Sequence, residues 1–256
     1  MSSPADLPRF VEERQQRIAE LLKTRGRVEV AALAADYGVS DDTIRRDLRQ
    51  LAARGLVQKT HGGAVALNTG VMSSQQRAAV MPAAKQAIAR TAAGLVEPHQ
   101  TLFIDGGSTA LALAQLLRAE GMPRPLTVVT HALDVFLTLA EAPQVRPVLA
   151  GGEWLPVHRV FEGEQAVATL RAHRADIAFL GACALHERTG VTAWQPGDAA
   201  IKRAMVAGAV RRVVLCDASK LDDVAPCAVA ELRELDHVIT DGDPAYLGAR
   251  RLAPTP

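Results

Sequence analysis

Cysteine is scarce in this 256-residue chain: three residues, at positions 183, 216 and 227, with no CxxC spacing. A disulfide framework or a zinc site is therefore not expected, and a reducing cytoplasm is the natural compartment. No apolar run approaches the ~20 residues that a membrane-spanning helix needs. The opening MSSPADLPRFVEERQQRI lacks both a basic leader and an apolar stretch, so it does not read as a secretory signal. Internal repeats and low-complexity blocks are also missing. An excess of either charge is lacking as well: 29 basic against 28 acidic residues leave a net +1. Taken as a total, that balance argues against nucleic acid, whose binders usually carry surplus positive charge. A hydrophobic share of 48% excludes wholesale disorder. The length fits one large domain or two modest ones.

The pattern changes near residues 68–75. The expected layout is a winged helix-turn-helix at 1–67, a linker at 68–80, an α/β domain at 81–242 and a frayed tail at 243–256. The NTGVMSSQQR stretch has turn residues and no strong period, hence the linker. Beyond it, short apolar runs alternate with helical stretches: LFID, LTVVT, VRPVLAGG, DIAFLG, RRVVLCD and HVITD are each read as a strand. Strand–helix alternation with nearly continuous apolar strands predicts a Rossmann-like, mostly parallel sheet buried on both faces.

The first unit reads as three helices with a short β element, and the fold class as a whole as α/β with an all-α N-terminal part. Helix one, about Arg9 to Lys23, has Val11, Ile18, Leu21 and Leu22 on one stripe, with Arg14 among the residues covering the rest. Helix two, about Val30 to Tyr37, meets Gly38, which suits a left-handed helix stop. Val39 fills the corner and Ser40 is a good N-cap for helix three, which continues to about Arg54 and Gly55. There Ile44, Leu48 and Leu51 make the buried stripe, and turning by ~100° per residue puts Asp42, Arg46 and Arg49 opposite, flanked by Thr43 and Arg45. Asp47 lies nearer the buried stripe and reads as an internal polar partner. Arg45-Arg46 alone would be ordinary surface charge. With the glycine corner, the N-cap and the following LVQKTHGGAV, which suits two short strands, it reads as a winged helix-turn-helix. Arginine can bond guanine edges in the major groove, and Lys59, Thr60 and His61 of the wing can reach phosphates. Ser40, Asp42, Thr43, Arg45, Arg46, Arg49, Lys59, Thr60 and His61 are the candidate contacts to double-stranded operator DNA.

The charge total can now be divided. Residues 1–67 hold eleven basic and nine acidic residues, so this unit is +2 and the remainder −1. The cations cluster on one helix and the wing. So small a surplus implies weak binding per copy, and a homo-oligomer, dimer or tetramer, that sums several contacts.

In the second unit, LFID runs into Asp105-Gly106-Gly107-Ser108-Thr109 and directly into a helix. A strand, a glycine-rich turn and a helix N-terminus form a ready anion site. The turn is neither a Walker A loop nor a dinucleotide fingerprint. Thr130-His131, Gly151-Gly152, Gly181 and Asp217 to Lys220 also fall at carboxyl ends of expected strands, where open α/β sheets bind ligands, and Lys202 offers a cation. The cysteines read as small buried hydrophobes. No metal, cofactor or catalytic group is expected.

The segment VSDDTIRRDLRQLAARGLVQKTHGGAV resembles the winged helix-turn-helix of the DeoR family of bacterial transcription regulators. It matches VS-x-x-TIRRDL-x-x-L at Val39-Ser40, Thr43 to Leu48 and Leu51, then Gly55 and the HGGA at His61 to Ala64. FIDGGST, VVTHAL, LAGGEW, GEQA, ADIAFLGA, GVTA, AAIKRAM and LCDASK resemble, in order, the same family's effector-sensing domain, so the likeness spans roughly residues 10 to 240. The resemblance implies a sensor similar in fold to ribose-5-phosphate isomerase. It also implies a repressor of a carbohydrate-catabolism operon that releases DNA on binding a phosphorylated sugar or related metabolite. Asp105 to Thr109 would hold the ligand or its phosphate, with Lys202 and Ser219-Lys220 at or near the pocket, and His131, Gly151 and Gly152 contributing. The chain departs from the family where His131 replaces a common Asn, and where Ala184-Leu185-His186 replaces a Gly-Ile-Asp-like segment, which bears on hydroxyl recognition and on whether sensing is altered. The competing expectation is a sugar-phosphate isomerase or deaminase with an accessory DNA-binding unit.

Overall fold

The structure, a computed structural model, describes residues 10–25, 27–53, 56–66 and 72–254, and divides into two units between residues 68 and 69. In the first, α1 (Val11–Arg25) leads through β1 (Arg27–Glu29) to α2 (Val30–Tyr37) and α3 (Asp41–Ala53), followed by β2 (Val57–Thr60) and β3 (Gly63–Ala66). Gly38 ends α2 at φ 62°, in the left-handed region. Ser40 caps α3, its Oγ accepting the Thr43 N–H at 3.2 Å. Ile44, Leu48 and Leu51 are buried against Ile18, Leu22, Leu33 and Val57, each full burial stabilising by about 1.5–3 kcal/mol.

Three expectations for this unit are corrected. It is not all-α: β1, β3 and β2 form an antiparallel sheet with β3 in the middle. Val11, the first residue of α1, is exposed rather than part of the core stripe. Arg14, expected at the surface, is buried because its guanidinium pairs with Asp47 at 2.6 Å. The expected helix limits Arg9, Arg54 and Gly55 lie outside the described residues.

The second unit begins with α4 (Ser74–Ala79) and α5 (Pro82–Ala93). Then come β4 (Thr101–Ile104), α6 (Ser108–Arg118), β5 (Leu126–Thr130), α7 (Leu133–Ala140) and β6 (Val145–Leu149). A hairpin of β7 (Glu153–Leu155) and β8 (Val160–Glu162) precedes α8 (Glu164–Arg171) and β9 (Ala175–Gly181). The chain continues through β10 (Ala184–His186), β11 (Gly190–Ala193), α9 (Pro196–Gly208) and β12 (Ala209–Leu215). It ends with β13 (Cys227–Ala230), β14 (His237–Ile239) and β15 (Arg251–Leu252).

Seven strands form the main sheet in the order β15-β14-β12-β9-β4-β5-β6, every neighbouring pair parallel. Side-chain alternation divides the core. Leu102 and Ile104 of β4 face one side with Ile88, Leu113 and Leu117, while Phe103 faces the other with Leu170, Ile201 and Met205. Successive strands leave β4 in one direction through β5 and β6, and the chain then returns to β9 on the other side. The crevice between the ends of β4 and β9 is thus the topological switch point of the sheet, where such folds bind ligands.

Two local expectations fail here. The 68–80 linker contains α4, started by a capping box in which Ser73 Oγ accepts the Gln76 N–H and Gln76 returns the bond to the Ser73 N–H; residues 67–71 lie outside the described residues. The tail at 243–256 is not frayed where described: Leu247 is buried, and β15 joins the sheet beside β14 because an extended Arg-Leu pair completes its open edge.

Candidate functional site

On α3 the buried and exposed faces separate cleanly. Asp42, Arg45, Arg46 and Arg49 are exposed and Thr43 is half-buried, while Asp47 points inward to Arg14 and Gln15. Arg49 Nε donates to the Arg45 carbonyl at 3.2 Å. Arg45 and Arg46 enter no ion pair among the described residues, which leaves both guanidinium forks for an external acceptor. Ser40, also exposed, lies 2.9 Å from the Thr43 hydroxyl. The wing expected after α3 is present. Lys59, Thr60 and His61 stand exposed at its tip, where β2 turns into β3. At Gly63 a β-carbon would collide with the Val28 carbonyl of β1, so the close packing of the hairpin on that strand requires glycine.

In the second unit a pocket of about 970 Å³, open mouth included, lies at the switch point. Gly106, Gly107, Ser108 and Thr109, leading into α6, form one wall, and Gly181, Ala182 and Cys183 after β9 form another. Asp105 does not line it. The carboxylate is fully buried beneath the loop, with Oδ2 accepting the Gly181 N–H at 2.8 Å and pairing with Lys202 at 2.9 Å. Burial alone would raise its pKa, but Lys202 and His131 hold it well below the usual carboxylate range. Asp105 therefore fixes the loop instead of meeting an anionic ligand. Lys202, buried on α9, pairs with both Asp105 and Asp198; these carboxylates overcome burial and hold it charged, its pKa raised.

His131 lines the pocket and knits three elements. Its Nδ1–H donates to the Phe161 carbonyl at 2.9 Å, and Nε2 lies 3.2 Å from the Gly106 nitrogen and 3.1 Å from Asp105 Oδ1. A neutral ring accepts from Gly106; a protonated ring donates to Asp105. Lys220 also lines the pocket, and burial lowers its pKa. Gly151 and Gly152 do not. Both are exposed, because the chain turns there into β7, and the returning strand β8 brings Val160 and Glu162 to the pocket in their place. Ala184-Leu185-His186 form β10, antiparallel to β11, and none of the three lines the pocket; His186 Nδ1 accepts the Arg188 N–H at 3.1 Å.

Sequence reasoning missed several lining residues: Arg77, Lys85, His158, Glu162, Cys183, Trp194 and Asp198. Arg77 sits on α4 and donates to His158 Nδ1 at 2.9 Å and to the Met72 carbonyl at 2.8 Å. Lys85, buried on α5, donates to the carbonyls of Arg77 and Val80. Burial lowers its pKa to about 8, opposed by Asp217 and aided by Lys220 and Arg77. Glu162 is raised by burial and by Asp198. The Trp194 indole N–H is buried without a hydrogen-bond partner among the described residues. Two sequence signals were there to find these residues. Ser73-x-x-Gln76 is a helix start, and Lys85 occupies the same i, i+3, i+4, i+7 stripe as Ile88, Ala89 and Ala92.

A winged helix-turn-helix followed by a parallel α/β unit with a cleft pocket defines a transcription regulator that carries its DNA-binding and sensor domains in one chain. Residues 14–70 match the DeoR-like helix-turn-helix domain and residues 80–242 match the DeoR C terminal sensor domain. The chain belongs to the DeoR family. It is similar to the deoxyribose operon repressor of Escherichia coli K12, 33% identical over 235 residues, covering 89% of this chain and 90% of that protein. It is also similar to the HTH-type transcriptional repressor GlcR of Bacillus subtilis 168, 30% identical over 234 residues, covering 91% and 89%. Both are named repressors, not enzymes, and the isomerase-or-deaminase alternative falls with that finding. The ribose 5-phosphate isomerase of Methanocaldococcus jannaschii is similar at 21% identity and a TM-score of 0.39 over 54% of this chain and 53% of that one. A likeness of that size carries no argument about activity. Among the described residues no helix is long and apolar enough to cross a membrane.

Proposed function

We propose that this chain represses a carbohydrate-catabolism operon from the cytoplasm, binding operator DNA through α3 and the wing as a homo-oligomer, a dimer or tetramer. A phosphorylated sugar or related metabolite binding the pocket relieves the repression. The observation that carries the reading is the coexistence, in one DeoR-family chain, of an arginine face on α3 that enters no ion pair among the described residues and a pocket lined by several cations at the switch point of the second unit. The names of the deoxyribose operon repressor and GlcR support a sugar-linked operon. The mechanism is linkage: the metabolite must bind the DNA-incompetent arrangement more tightly than the competent one, by its differential affinity alone.

Fluorescence anisotropy of the DNA flanking the chain's own gene, titrated with protein and a panel of sugar phosphates, tests the reading. At least one member of the panel is expected to weaken operator binding tenfold or more; no effect from any of them sinks ligand control. Arg46→Ala is expected to weaken specific binding by about 1–3 kcal/mol if Arg46 reads a base, and unchanged affinity removes it from the interface.

A further inference from the structure

The exposed face of α3 is not made of cations alone, because Asp42 stands among them. At ~100° per residue it lies about 60° from Arg45, about 40° from Arg46 and about 20° from Arg49, in the middle of the arginine face. Asp41, also exposed, is turned a further ~100° away and lies off that face. A carboxylate in a DNA-facing surface meets the repulsion of the phosphates, so its place there needs a reason. The helix dipole favours an acid anywhere in the first turn, and Asp41 already supplies one off the face. The second ordinary reason is pairing with the arginines three and four residues on, at the spacings where helical ion pairs form. Yet Asp42, Arg45 and Arg46 enter no ion pair among the described residues, and none of those residues bonds the Asp42 carboxylate.

The neighbouring polar groups are engaged. The Ser40 and Thr43 hydroxyls bond each other at 2.9 Å, and Arg49 Nε donates to the Arg45 carbonyl at 3.2 Å. Asp42 is thus the acceptor that this face offers, two carboxylate oxygens and no donor. It sits in the first turn, where a recognition helix meets base edges. In the major groove cytosine shows the N4 amino donor, while guanine and thymine show acceptors that a carboxylate cannot bond. Adenine shows a donor, but with the N7 acceptor beside it, which suits an amide better than a carboxylate. We infer that Asp42 reads a cytosine of the operator half-site, its carboxylate accepting the N4–H of one C·G pair while the arginines around it offset its repulsion from the phosphates. The inference rests on the operator-binding reading and names a base that the operator carries.

Selection from random-sequence duplexes by the full-length protein tests it, since no operator need be known beforehand. The wild type is expected to enrich half-sites with one position fixed as cytosine. Asp42→Ala is expected to leave that position undefined and to keep the rest. Asp42→Asn should shift the same position towards adenine, because an amide matches adenine N6 and N7 together. Asp41→Asn, which removes the same charge from the same turn, leaves the selected sequence unchanged. On the wild-type site Asp42→Ala is expected to bind about tenfold more weakly, and on unrelated DNA at least as tightly as the wild type, because a repulsive charge has gone. Identical selected sequences for wild type and Asp42→Ala overturn the inference. So does tighter binding of that variant to selected and unrelated DNA alike, which would make Asp42 a repulsive charge only. A preference weakened evenly at every position overturns it too, as the mark of a disturbed helix. No enriched sequence for the wild type would refute specific operator binding itself, and the inference with it.

Discussion

Arg14 and Asp47 form the polar centre of an otherwise apolar three-helix core. Asp47 is 2% exposed and accepts from Arg14 at 2.6 and 3.2 Å and from Gln15 at 3.2 Å. Removing one partner of a buried pair leaves the other charge uncompensated, so Asp47→Ala should cost about 3–5 kcal/mol in urea denaturation of this unit. Asp47 was legible in sequence because it sits beside the apolar stripe of α3. Arg14 was not, since α1 carries charges on every side and only the fold decides which one is covered. Lys85 is the counterpart in the pocket. Its pKa, lowered to about 8 by burial, means that the unfolded chain holds a proton that the folded chain has released between about pH 8 and the ordinary lysine range. Stability contributed through this group therefore rises with pH across that window, with Asp217, Lys220 and Arg77 as the charges facing it. Comparing wild type with Lys85→Met at pH 8 and pH 10, the difference should move in the wild type's favour, on the order of 2 kcal/mol.

At the scale of elements, what sequence revealed follows from length and pattern. α2 and α3 were marked by Gly38, the Ser40 cap and the apolar period. The central strands of the main sheet were marked by unbroken apolar runs, because parallel strands buried on both faces leave no room for polar alternation. The β7–β8 hairpin, α4 and β15 gave no such signal: they are short, partly exposed and polar, and tertiary contacts place them. The pocket was legible on the walls built from strand ends and illegible where these short elements close it. The wing is a short element that could be read, because it follows a recognisable α3 and turns at Gly62-Gly63. Lys59 at its tip is expected to touch a phosphate rather than a base. Lys59→Ala should weaken binding to all DNA sequences alike and reduce the slope of log affinity against log salt by about 1. A selective loss for one operator would assign Lys59 to base reading instead.

For the whole molecule, a net charge of +1 conceals two units of opposite sign, +2 over residues 1–67 and −1 over the rest. The total neither favours nor opposes DNA, because the relevant cations are one helical face and one wing tip. The cores are separate as well: the cluster around Ile18, Ile44 and Leu48 shares no member with the two clusters of the sheet. Scanning calorimetry should accordingly resolve two transitions, with a ligand of the pocket raising only the one that belongs to residues 69–256. At a hundredfold excess over its dissociation constant the gain should be about 2.7 kcal/mol. A single transition moved as a whole by that ligand would mean that the units unfold cooperatively.

Trp194 gives this regulator an optical property of its own. The chain has two tryptophans, Trp154 on the exposed β7–β8 hairpin and Trp194 in the pocket wall with its indole N–H unpartnered among the described residues. In a Trp154→Phe background every emitted photon of indole origin reports from the pocket. Ligand entry then becomes visible without a dye, and an acceptor that bonds Nε1 would shift the emission to longer wavelength. The protein is, in that variant, its own label-free screen for the metabolite proposed to bind the pocket.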